Sequence, residues 1–90
     1  MPAFIEVLPV GPDGRLFQIC DGERYGYVET DGIAERWQRG RDVICRHPSV
    51  IAYIGHWLST DGVLVGSQHA PRLSWDDICL HVPEARGVLH

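Results

Sequence analysis

Ninety residues, 44% of them apolar and 22% charged, suffice for one hydrophobic core and are too few for two. Twelve acids against eight basic residues give a net charge of -4, which excludes a domain that coats itself in nucleic acid. All eight basic residues are arginine, so phosphate-loop lysines, Schiff bases and lysine general bases are excluded too.

The first thirty residues read as a β-meander. An apolar run from Phe4 to Leu8 is broken only by Glu6, Gly11-Pro12-Asp13-Gly14 turns the chain, and a second run extends from Arg15 to Cys20. Asp21-Gly22 predicts a two-residue type I′ hairpin, since both central positions need positive φ. That turn sets Phe17 opposite Gly26, Leu16 opposite Tyr27 and Gln18 opposite Tyr25. With a period of two, Phe17, Ile19 and Val28 supply a buried face, and Tyr25 and Tyr27 share the other face with Leu16 and reach the surface.

From Thr30 the period changes. Thr30-Asp31-Gly32 offers a helix cap, Ile33, Ala34 and Trp37 make a short apolar stripe, and Gly40 is the expected stop. Val43-Ile44-Cys45 fits either a continued helix or a brief strand. Val50, Ile51, Tyr53, Ile54, Trp57 and Leu58 then fall at helical spacing, with Pro48 in the first turn, and predict a helix over 48–59. Val63 to Val65 reads as a short strand and Gly66 to Arg72 as an exposed loop. Ser74-Trp75-Asp76-Asp77 resembles a capping box and opens a last helix that Pro83 ends. The expected fold is therefore α+β: an antiparallel three-stranded β-meander, then two or three short helices packed on one face. Residues 1–83 form one domain in this reading, and 84–90 a mobile tail.

Cys20, Cys45 and Cys79 include no C-x-x-C pair, and free thiols in the core of a cytoplasmic protein are expected. No apolar run approaches the roughly 18 residues of a membrane span, and no basic region precedes an apolar stretch at the amino terminus. Two Cys-x-His pairs, Cys45-Arg46-His47 and Cys79-Leu80-His81, carry zinc-type ligands. Side chains two apart diverge by about 200° on a helix, so the second pair cannot chelate there. No metal or cofactor is expected. Ser67 and His69 are the only suggestive nucleophile and base close in sequence, but no glycine-flanked elbow surrounds them, and a non-enzymatic protein is expected.

Charge is segregated. Residues 1–35 hold seven acids and two arginines, whereas residues 36–47 hold four arginines and one acid. Arg36, Arg39, Arg41 and Arg46 are candidate partner contacts through their guanidinium forks, and Tyr25 and Tyr27 are candidates because tyrosine is enriched at interface hot spots. The expected function is stoichiometric binding to a larger protein partner, as an inhibitor or accessory subunit. A small acidic chain free of lysine and asparagine, as GC-rich bacterial or phage genomes encode, is similar in profile to phage-encoded anti-CRISPR proteins and to toxin-immunity proteins. The alternatives are a nucleic-acid-binding regulator that uses the segment from Arg36 to Arg46, and a small metal protein or enzyme. An exposed tyrosine face also suits a homodimer.

Overall fold

The computed structural model describes residues 4–11, 15–30 and 37–88. Strands β1 (Glu6–Val10), β2 (Leu16–Cys20) and β3 (Arg24–Glu29) form the expected antiparallel meander. Of the Gly11–Gly14 turn only Gly11 is among the described residues, at φ 86°.

The hairpin between β2 and β3 differs from the sequence reading. Its register pairs Cys20 with Tyr25, Ile19 with Gly26, Gln18 with Tyr27 and Phe17 with Val28, so the central residues are Gly22 and Glu23 rather than Asp21 and Gly22. The Asp21 carboxylate is the cause. It accepts from the backbone N–H groups of Glu23 at 2.8 Å and Arg24 at 2.7 Å, while the Asp21 N–H donates to the Arg24 carbonyl at 3.1 Å. Gly22 alone then takes the positive φ, 96°. The pairing moves by two residues, so every side chain stays on its expected face.

Helix α1 (Trp37–Arg46) settles the open choice at Val43-Ile44-Cys45 in favour of helix. Gly40 does not stop this helix but is buried inside it. A Cβ at Gly40 would lie 3.3 Å from the Phe17 ring, so the glycine lets α1 approach the sheet closely. The expected cap at 31–32 and the stripe residues Ile33 and Ala34 lie outside the described residues. Thr30 is buried, and its hydroxyl donates to the Arg15 carbonyl at 3.3 Å. His47 is extended, at φ -82° and ψ 111°, as the residue before a proline prefers, and it separates α1 from α2 (Pro48–Asp61). Helix α2 buries Val50, Ile54, Trp57 and Leu58, the predicted stripe. It ends at Gly62, whose N–H donates to the Leu58 carbonyl; a Cβ there would run into that same oxygen.

Two short strands extend the sheet along the outer edge of β3. Strand β4 (Val63–Leu64) pairs antiparallel with Arg24 and Tyr25, and β5 (Arg72–Ser74) pairs parallel with Tyr27 to Glu29. The meander is thus part of a five-stranded sheet. Strand β5 overlaps the end of the expected loop at Arg72 and the expected cap at Ser74, and three residues after Pro71 are too few to show a period. The Ser74 hydroxyl caps α3 (Trp75–His81) by accepting from the Asp77 N–H at 3.1 Å, and a 3₁₀ turn follows at Pro83–Ala85. Packing continues past Pro83, with Ala85 fully buried and Val88 against the core.

The core lies on one face of the sheet, where Phe17, Ile19 and Val28 meet Ile44, Ile54, Leu58 and Ile78 from the helices. Trp57 lies over Gly26: a Cβ at that glycine would sit 2.6 Å from the indole Cη2. The sequence reading placed Phe17 opposite Gly26, and the register gives that bare backbone to α2 instead. Among the described residues no helix is long and apolar enough to cross a membrane.

Candidate functional site

Alternate residues of the same strands point away from the helices. This outward face carries Glu6, Leu8 and Val10 from β1, Leu16, Gln18 and Cys20 from β2, and Tyr25, Tyr27 and Glu29 from β3. Its large side chains are not covered: Leu8 is 46% and Val10 38% exposed, and both tyrosines are half-buried. A groove of about 580 Å³ runs across one end of it, lined by Glu6, Gln18, Cys20, Tyr25 and Tyr27. Ile5, 75% exposed, and Val65, 60% exposed, form its rims.

The tyrosines occupy successive outward positions on β3. Their ring centroids are 6.0 Å apart with planes at 79°, an edge-to-face pair. The Tyr25 hydroxyl donates to the Ser67 carbonyl, which ties the loop after β4 to the groove wall. Ser67 acts here through its backbone: its N–H donates to the Leu64 carbonyl at 2.9 Å, and the residue is exposed. On the floor, Gln18 Nε2 donates to Glu6 Oε1 at 3.3 Å. At the closed end, the backbone N–H groups of Arg24 and Glu23 hold the Asp21 carboxyl below its ordinary pKa, and the turn stays anionic at neutral pH. Further along the face, Arg72 pairs with Glu29 at 3.5 Å, in the open.

The thiols do not all lie in the core. Cys79 is buried, and burial pushes its thiol up, which keeps it protonated and unreactive. Cys20 is half-buried because it falls on the outward side of β2, and Cys45 is exposed because Ile44 takes the core position on α1. Their apolar neighbours suggested burial, but adjacent residues face opposite ways on a strand and about 100° apart on a helix.

Of the candidate arginines, Arg41 and Arg46 are among the described residues, and these two are not gathered as the tyrosines are. Arg36 and the Arg39 side chain lie outside the described residues. Arg41 is exposed and lines a cleft of about 250 Å³ between β1 and α1, together with Phe4, Cys45 and Ile51. Arg46 is exposed in a separate shallow hollow with Asp42, His47 and Pro48. Five residues apart, these two leave the helix in directions about 140° from one another. The second Cys-x-His pair is split, since Cys79 is buried and His81 is exposed, with its ring stacked on Tyr53 at 4.8 Å. Among the described residues no group of three or more histidine, cysteine or carboxylate side chains is placed to hold a metal ion.

Alternation along the strands put Tyr25, Tyr27 and Leu16 on one outward face, and the structure adds Glu6, Leu8, Val10, Gln18 and Cys20 to it. The rims Ile5 and Val65, expected within the run from Phe4 to Leu8 and the strand from Val63 to Val65, lie just outside β1 and β4. In comparison with known proteins the chain matches no family model, no curated protein and no solved structure, so function must be read from this surface itself.

Proposed function

We propose that the chain is a non-enzymatic binding protein that seats a larger protein partner on the open face of its sheet and acts by occupying that partner's surface. The observation that carries this reading is the half-buried Tyr25–Tyr27 pair, held by the Ser67 carbonyl and set in a groove beside exposed Ile5, Leu8, Val10 and Val65. Contiguous exposed apolar area of this kind marks contact sites, and tyrosine supplies large contact area with little conformational entropy to lose. Inhibition follows if the covered surface of the partner is its working surface, which is how an anti-CRISPR-like or immunity-like protein acts. Arg41 and Arg46, which diverge on α1, do not make the single basic face that phosphate recognition along a nucleic acid uses.

The test is capture from a bacterial lysate with the wild-type chain and with Tyr27→Arg. Wild type should retain a protein that the variant loses, while the two melt within about 0.5 kcal/mol of each other, as for an exposed substitution. Equal retention by both would remove the open face from the interface.

A further inference from the structure

We propose that the groove between Ile5 and Val65 receives a cationic side chain, arginine or lysine, presented by a basic peptide segment of the partner; this rests on the open face being the contact surface. Among the described residues Glu6 is the one charged side chain lining the groove. Gly22, which lines the groove, lies between Asp21 and Glu23 in the adjoining turn. The arginines of the neighbouring strands are engaged elsewhere: Arg24 Nη1 donates to the Gly62 carbonyl at 2.8 Å, and Arg72 pairs with Glu29. Arg41 stands in the adjacent cleft, which shares Ile5 and Glu6 with the groove, so among the described residues the groove's own lining carries one negative charge and no cation.

The aromatic walls favour the same occupant. An edge-to-face pair turns the electron-rich face of one ring at right angles to the other, and a cation within about 6 Å of such a face is attracted to it. A carboxylate would meet the same ring faces and Glu6 with repulsion. A purely apolar segment would fit the rims Ile5 and Val65, but it would cover the Glu6 carboxylate and take that charge out of water without a cation beside it. A guanidinium or ammonium group satisfies Glu6, lies against a tyrosine ring and keeps its aliphatic stem on the apolar rims.

The test uses the isotope-labelled full chain and three synthetic decapeptides in which serine alternates with arginine, lysine or glutamate. The expected result is that the two basic peptides shift the amide resonances of Cys20, Tyr25, Tyr27 and Val65, and the acidic one does not. Affinity should fall about tenfold in Glu6→Gln, about threefold in Tyr27→Leu, and further as salt is raised. Both variants are checked by melting, and Tyr27→Leu preserves the argument if Glu6→Gln is unstable. Equal shifts with the basic and acidic peptides would overturn the cation preference yet leave the open face as a contact surface. Shifts confined to other acidic sites, such as Asp76 and Asp77 on α3, would overturn the proposal. So would groove resonances that move when the protein alone is concentrated, since a second copy would then be the occupant. Failure of the contact reading itself is registered separately, by the capture experiment with Tyr27→Arg, which involves no peptide.

Discussion

The two faces of the sheet are built from the same strands, yet they do different work. On the inner face Phe17, Ile19 and Val28 are 0% exposed, and Gly26 has no side chain so that Trp57 can lie on the backbone. On the outer face Leu8, Leu16, Cys20, Tyr25 and Tyr27 alternate with them along the strands, and among the described residues no helix covers them. An antiparallel sheet with one solvated face ordinarily shows a polar outer set, and here that set is largely apolar and aromatic. Alternation decides which residues share a face. Whether the face becomes core depends on what packs against it, and among the described residues only the inner one is covered.

The strongest way to break this contrast is at the inner face. Trp57→Ala should cost about 3 to 5 kcal/mol, the usual range for emptying a buried aromatic site, read from urea or thermal melts. A wild-type-like melt would mean that the inner face is not closed. Gly26→Ala should cost about 1 to 3 kcal/mol, because its Cβ would press on the Trp57 ring and lie 3.3 Å from the Pro71 carbonyl of the adjacent backbone. The pair combined should cost less than the two separately, since the methyl group then enters space the indole has left. Strict additivity would show that the two residues do not meet.

Much of this inner face was legible in the sequence, and the reasons are local. The period of Val50, Ile54, Trp57 and Leu58 announces α2, and Ser74 followed by Asp77 announces the cap of α3. The hairpin register was not legible, because Asp21-Gly22 reads as turn centre until the Asp21 carboxylate is seen holding two N–H groups beyond it. Gly40 looked like a helix stop for a similar reason: a glycine needed for close approach to Phe17 has the same letter as one needed for positive φ. Of the candidate site, the tyrosine face came from alternation alone. The groove could not, since the loop tied by Tyr25 and the rims Ile5 and Val65 are set by tertiary contacts.

A smaller effect tests the turn that joins the two faces. Asp21→Ala should cost about 1 kcal/mol by removing the acceptor of the Glu23 and Arg24 N–H groups, which then turn to water. The sign of its pH dependence follows from the lowered folded-state pKa. The stabilisation is fully present above the unfolded value and is lost as pH falls through the folded one. The stability gap between wild type and Asp21→Ala should therefore be constant near neutrality and close below a pH of about 4. A gap that persisted in acid would mean that the loss comes from the backbone of the turn and not from the charge.

The smallest expected effect sharpens the contrast from outside the sheet. Reversing Arg41 and Arg46 together to Glu should change stability by no more than about 1 kcal/mol, since both are exposed and the only local loss is a favourable cation near the C-terminal end of α1. Affinity for the captured partner should stay within about threefold, because the two guanidinium groups leave the helix about 140° apart and cannot clamp one carboxylate or phosphate together. Arg41 is the informative member of the pair. Its cleft shares Ile5 and Glu6 with the tyrosine groove, so a glutamate at position 41 adds negative charge beside the groove. If a cation is the occupant, the Arg41→Glu single variant should bind slightly tighter than wild type, and the gain should shrink as salt is raised. A collapse of affinity in the double variant would place the contact on α1 and make the open face a bystander. A collapse in Arg41→Glu alone, with Arg46→Glu neutral, would instead give the groove an anionic occupant reaching across Ile5, the reverse of the charge preference argued from Glu6.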